Sequence, residues 1–310
     1  MIQSPVFGIA NAERTKFDRH SSFPTVNTMR LSLTSALAVT TVDVASASTV
    51  YYTPLSNTAT GYGLISLWEG GKSSGRWRVR RVREIAVQGF QDGLVDKNYD
   101  VFVYSPSGRP DNVTAIFGGA WASDTARTIA LEEKDGVFTW AGRPELLYVG
   151  TVRHDFGGNA FNDTAAKRFV WNAFNRRRRR MSCVDTTNTW TYTTATWRQA
   201  NAASANKVEY VCGLSEDLVR ASARHWAVNA GADIGTGVGV DSTSVNSAQT
   251  YGWAASNQGA PQIGEYAGWP GIGYHYLAWL EISAAVNTTT WRGDNALTYV
   301  QSGMVAEVMA

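Results

Sequence analysis

Cysteine is scarce in this 310-residue chain. Two residues, Cys183 and Cys212, cannot staple a disulfide-dense scaffold. Charge is thin as well, at 17% of residues against roughly 25% in an average globular protein. Lys+Arg number 28 and Asp+Glu 26, for a net charge of +2. That balance excludes a disordered acidic tail and a histone-like polycation. Eight prolines and 29 glycines are too few for a collagen-like or low-complexity chain. No run of about 18 apolar residues occurs, so no membrane-inserted segment is expected. No basic start leads into an apolar stretch, so the sequence predicts no signal peptide and a soluble product made in the cytoplasm.

Motifs of catalysis are also missing. Gly71-Lys72-Ser73 imitates the end of a phosphate loop, but position 66 is Ser where the tight turn needs glycine. Gly235-Thr236-Gly237-Val238-Gly239 fails the dinucleotide spacing and feeds no helix. It reads as a glycine-bearing strand that another backbone approaches closely. There is no HExxH and no G-x-S-x-G elbow. The histidines are scattered at 20, 154, 225 and 275. His154 beside Asp155 reads as a satisfied surface pair, and His275 between two tyrosines as packing. Asp241, Glu265, Glu281 and Asp294 are available as paired carboxylates, but spacing ranks none of them. The sequence therefore points away from an enzyme and calls for no metal and no cofactor.

What is abundant favours strands. Twelve Trp, 13 Tyr and 11 Phe suit a pleated, half-buried surface. Arg30–Thr34 alternates, Ser48–Tyr52 ends at Pro54, and Tyr62–Trp68 closes on Glu69-Gly70-Gly71. Between Trp77 and Val87 the alternation breaks near Arg80-Arg81, as a bulge or a junction of two strands. Tyr99–Tyr104 is a compact apolar strand, and Glu132–Gly136 lies between two strands of a hairpin. Val219–His225 alternates strictly, and Gly273–Ile282 is the strongest strand pattern. The fold class is all-β: two β-sandwich or jelly-roll-like domains with an extended N-terminal arm. The expected divisions are 1–28 as the arm, 29–162, a junction at 163–181, and 182–310. In the junction Phe169, Val170, Ala173 and Phe174 recur at helical spacing behind a capping Asp163 or Thr164.

Three features carry candidate function. Phe7, Phe17 and Phe23 in the arm are placed to anchor it on a neighbouring subunit. Arg176, Arg177, Arg178, Arg179 and Arg180 form a basic run. Inter-subunit ion pairs or solvated charge account for it better than nucleic acid, because the net charge is only +2. Twenty-two of the 28 cations are Arg, a residue suited to interfaces, though GC-rich coding gives the same bias. The aromatics also invite a carbohydrate reading. Trp190, Tyr192 and Trp197 belong to strands and are expected mostly in the core. Trp253, Tyr266 and Trp269 are the better ligand platforms, because Gly264–Gly273 has a loop composition. Cys183 and Cys212 are placed either to pair across neighbouring strands or to stay separate buried thiols.

Several stretches resemble a family of tailed-phage and gene-transfer-agent virion proteins. They are Arg30–Thr34 with Val39–Val44 and Thr49–Pro54, then Tyr99–Tyr104, Leu147–Arg153, Ala165–Asn172, Trp190–Asn201 and His275–Glu281. The likeness spans roughly residues 30–300 and leaves out the arm. It implies a β-rich component of the particle exterior: a head spike, fibre base or tail attachment. It implies a symmetric homo-oligomer, three-fold or five-fold, contacting other virion proteins and host capsular polysaccharide. Capsid decoration or a tail connector without ligand binding is the alternative, and a polysaccharide-degrading enzyme ranks below both.

Overall fold

The computed structural model describes residues 26–56, 61–90, 95–106, 112–155, 160–251, 256–296 and 299–310. These residues form an all-β protein with several sheets and no α-helix; one 3-10 turn lies at Ala200–Ala202. The sandwich-like class expected from composition is what the strands build. Phe7, Phe17, Phe23 and Trp253 lie outside the described residues.

A 13-stranded sheet forms the central wall. It runs from Arg198–Gln199 through Gly273–Ser283, Lys207–Cys212, Lys167–Arg168, Ala160–Asp163 and Arg143–Asp155 to the hairpin Val137–Trp140 and Leu131–Lys134. Ile234–Val240 pairs with Gly273–Ser283, and Lys97–Tyr104 lies between Arg143–Asp155 and Thr114–Ala120. This wall draws strands from both 29–162 and 182–310. They meet where Lys167–Arg168 runs parallel to Glu209–Tyr210.

A seven-stranded sheet packs against part of the wall. Its order is Arg178–Val184, Gly303–Met309, Val219–Asn229, Ser256–Gly268 and Thr250–Tyr251, with Thr189–Thr191 and Thr290–Arg292 off that path. Strict alternation along Val219–Asn229 explains its placement. Val219, Ala221, Ala223, His225 and Ala227 are buried, while Arg220 and Arg224 are exposed. Smaller sheets of three and two strands lie beside the wall in the first half.

Two apolar cores result, and the wall separates them. Phe102, Leu146 and Tyr148 belong to one, with Met181, Trp279, Trp291 and Met304. Val101, Val103, Leu147 and Val149 belong to the other, with Met29, Leu31, Ile65 and Leu67. Successive residues of a strand point to opposite faces. A strand buried on both faces therefore reads as a continuous apolar run, as Tyr99–Tyr104 does.

The expected close backbone approach at the glycine-bearing strand is present. A Cβ placed on Gly264 would lie 2.5 Å from the Thr236 carbonyl oxygen and 2.9 Å from Gly237 Cα. The 131–140 hairpin closes on Asp135 and Gly136, both at positive φ (52° and 83°), the geometry of a type I′ turn.

Three expectations are corrected. The 163–181 segment holds no helix: Lys167–Arg168, Val170–Asn172 and Arg178–Val184 are strands. Its apolar spacing reflects short strands covered on both faces. The strand pairing of Arg76–Val82 with Gly63–Glu69 passes through Arg80-Arg81 without a register shift and ends at Val82. Gly264–Gly268 continues a strand, so only the residues after it form the loop. Of the two alternatives for the cysteines the structure has the second: Cys183 and Cys212 are separate buried thiols, with the pKa of each pushed up to about 12 by burial.

Candidate functional site

The basic run divides its work. Arg176 turns inward, with Nη1 2.5 Å from Asp217 Oδ2 and Nη2 2.6 Å from Glu216 Oε2. Arg179 also turns inward and donates to Asp163 Oδ2 at 2.9 Å. Asp163, itself buried, accepts from Arg168 Nη1 at 2.9 Å and from Thr40 Oγ1 at 3.1 Å. Arg168 in turn donates to the Arg180 carbonyl at 2.9 Å, covering an edge group of the Arg178–Val184 strand. Beside this hub, buried Arg30 donates to the carbonyls of Ala38, Asn175 and Ala310. Desolvation, with help from Arg179 and Arg177, lowers the Arg30 pKa to about 10. Arg176 and Arg179 are thus held inward by acids of their own chain. Arg177, Arg178 and Arg180 remain exposed.

Arg178 and Arg180 reach a groove of about 750 Å³ on the outer face of the seven-stranded sheet. Strand register builds its floor. Glu307 lies opposite Arg180 on one side and Arg220 on the other. One step along, Val305 lies between Ser182 and Ser222, and Ser222 faces Glu265, which faces Thr250. Arg178 Nη1 sits 3.4 Å from Glu307 Oε1. Arg180 and Arg220 have no ion-pair partner among the described residues. Gln249 closes one side by bonding the Ala267 backbone through both amide atoms, at 2.9 and 2.8 Å. The same face exposes Val184, Val305 and Ile263 at 54%, 42% and 39%. The arrangement offers two guanidinium forks, hydroxyl and amide groups, and a few apolar contacts. It is suited to binding carboxylates and hydroxyls, with Glu265 and Glu307 also in its lining.

The aromatic candidates fall apart in space. Tyr266 has the parity of Ala221 and Ala306, so its ring packs partly buried toward the core; its residue borders the groove from within the sheet. Trp269 stands 66% exposed just after that strand ends. Trp190 is core, as expected of a strand aromatic, and donates through Nε1 to Glu281 Oε2 at 2.8 Å. Arg198 covers Tyr192, its guanidinium carbon 3.8 Å from the ring centroid. Sequence reading did not single out Arg220, Ser222, Gln249, Thr250 or Glu307. Alternation along Val219–His225 put Arg220 and Ser222 on one face, but not which strands lie beside them.

Among the remaining titratable candidates His154, His275 and Glu281 are buried. His154 is not a surface residue: it is buried, its ring 4.7 Å from Phe90 and 5.2 Å from Phe161. His275 is buried and bonds Asp241 Oδ2 through Nδ1 at 2.7 Å. Glu281 is fully buried, and burial raises its pKa to about 7 against the pull of Trp190 and Arg198. His225 lies beside it, Nε2 3.8 Å from Glu281 Oε2, and burial holds its pKa well below 6.5. Among the described residues no group of three or more His, Cys, Asp or Glu is placed to hold a metal ion. No helix among them is long and apolar enough to cross a membrane.

No protein-family model and no curated protein matches the chain. Among solved structures it aligns with the insecticidal delta-endotoxin Cry8Ea1 of Bacillus thuringiensis at 9% identity and a TM-score of 0.24, covering 92% of this chain and 52% of that one. It aligns with the infectious bursal disease virus Gx strain structure at 10% identity and a TM-score of 0.27, covering 91% and 74%. A Bacillus thuringiensis Cry1Da tryptic core variant gives 8% identity and a TM-score of 0.19, covering 92% and 51%. The chain thus spans about half the length of the two endotoxins. At these TM-scores the alignments carry no argument about function.

Proposed function

We propose that the chain is a non-enzymatic structural protein of a particle exterior, and that the outer groove of its seven-stranded sheet contacts carboxylated surface polysaccharide. One observation carries the reading: Arg180 and Arg220 flank Glu307 on an exposed groove floor, and neither closes an ion pair among the described residues. A planar guanidinium matches a carboxylate in two-point geometry. Gln249 and Thr250 add amide and hydroxyl groups complementary to sugar hydroxyls. The sheet fixes these side chains on rigid strands, so little ordering is needed on binding. The resemblance to phage and gene-transfer-agent virion proteins supports the setting. In it, many copies on one particle would turn weak contacts into firm attachment.

Titration of the protein with polygalacturonate, at low and at raised salt, tests the reading. Saturable binding that weakens with salt and falls about ten-fold in the Arg180→Ala/Arg220→Ala variant is expected. Binding that is indifferent to both substitutions defeats it.

A second reading rests on Val184, Val305 and Ile263, which are exposed on the same face. Apolar residues among arginines also suit a neighbouring subunit, and the face would then be architectural. Light scattering of the wild-type chain and of Val305→Glu separates the two. Dissociation of an oligomer by that substitution favours the architectural reading.

A further inference from the structure

A second cleft, of about 760 Å³, opens where strands of the two halves meet in the wall. It shares no residue with the groove. Its volume falls within the roughly 300–1,000 Å³ of small-molecule sites.

The cleft is built around a buried cation. Arg153 is 5% exposed, and Nη1 donates to Asn98 Oδ1 at 3.1 Å and to Asp124 Oδ1 at 2.8 Å. Its guanidinium carbon lies 3.8 Å from the centroid of the Tyr274 ring. The Tyr274 hydroxyl donates to Glu209, which Lys207 Nζ also reaches at 3.0 Å. The loop bearing Asp124 is pinned: the Asp124 carbonyl accepts from Tyr274 N at 2.8 Å and from Asn98 Nδ2 at 2.7 Å. Lys97 stands in the wall without an ion-pair partner among the described residues. The Asp124 carboxylate is about half exposed.

Charge decides what fits. The walls carry the carboxylates of Asp96, Asp124, Asp155 and Glu209 against the cations of Lys97, Arg153 and Lys207. Lys167 adds a further cation, 2.5 Å from Asp155 Oδ2. An anion entering here meets four carboxylates, and a cation meets the ammonium and guanidinium groups. A neutral ligand dense in hydroxyls suits both, donating to the acids and accepting from the cations. Polar groups preset in this way act without reorganising. We propose that this cleft binds a neutral sugar unit. The assignment goes beyond the groove, whose free arginines select the opposite chemistry.

Saturation-transfer NMR and calorimetry with neutral glucose-, galactose- and mannose-based oligosaccharides test it on the full chain. At least one of them binds saturably. Lys97→Met and Asp124→Asn each weaken that binding about ten-fold, the loss expected for one hydrogen bond to a charged group. Thermal melts show that both variants remain folded, and Arg180→Ala/Arg220→Ala leaves neutral-sugar binding unchanged. Failure of every neutral oligosaccharide to bind overturns the proposal. So does binding that is equal in wild type, Lys97→Met and Asp124→Asn. Polygalacturonate binding without neutral-sugar binding removes this cleft and leaves the groove standing; the reverse result removes the groove alone.

Discussion

Arg30 Nη2 donates to the Ala310 carbonyl at 3.0 Å, tying the first core strand of the described chain to its last. The same guanidinium serves Ala38 and Asn175. Replacing Arg30 by Ala takes a donor from three carbonyls, of which Ala310 keeps the Arg177 amide. The expected loss is about 3 kcal/mol or more. Arg30→Lys recovers only part, because a point ammonium does not span three acceptors as the planar fork does. Urea melts of the three proteins measure it, and equal midpoints for wild type and Arg30→Lys would refute the fork argument.

Glu281 and His225 oppose one another in pH. The Glu281 pKa is raised from 4.5 to about 7, so its native state holds the proton longer than the unfolded chain does. That contribution is complete below pH 4.5 and disappears as pH rises through about 7, a swing of about 3 kcal/mol. His225 is shifted the other way, so its contribution is complete above pH 6.5 and is lost as pH falls. Wild type is therefore expected to show a shallow profile between pH 4.5 and 6.5. Glu281→Gln leaves the histidine uncompensated, and stability should then climb steeply with pH over that window. Thermal melts across pH 4–8 check this; parallel wild-type and variant profiles would count against it.

Both cysteines are buried thiols whose pKa burial lifts to about 12. Neither supplies thiolate at pH 8. A thiol reagent should label none in the native protein and both in denaturant. Rapid native labelling, or a disulfide detected by mass spectrometry, contradicts the structure.

Gly264 faces the Thr236–Gly237 backbone of the other sheet at close range. Gly264→Ala puts a methyl 2.5 Å from the Thr236 carbonyl oxygen, against the Thr236–Gly237 backbone with no flexible side chain to yield. Overpacking of this kind costs about 1–3 kcal/mol. A melting midpoint within error of wild type would show that the sheets lie farther apart.

Much of the fold was legible from period two. Val219–His225, Gly273–Ile282 and the 131–140 hairpin read as strands because local alternation and turn residues decide them. The segment around Asp163 misled because Phe169, Val170, Ala173 and Phe174 take helical spacing from strands too short to show their own period. Its acids and arginines also look like surface, yet Asp163 and Arg168 are buried against one another. The groove was half legible. Arg178, Arg180 and Tyr266 stood out in sequence, but Arg220 and Glu307 join them only through non-local pairing. Side-chain parity also turns Tyr266 away from the face that it borders.

Val101 and Phe102 serve opposite cores, and so do Leu147 and Tyr148. Sliding either strand by one residue would exchange a valine-sized space for a phenylalanine on one side and open a hole on the other. Mispaired forms are thus penalised twice over, and the correct alignment proofreads itself during folding.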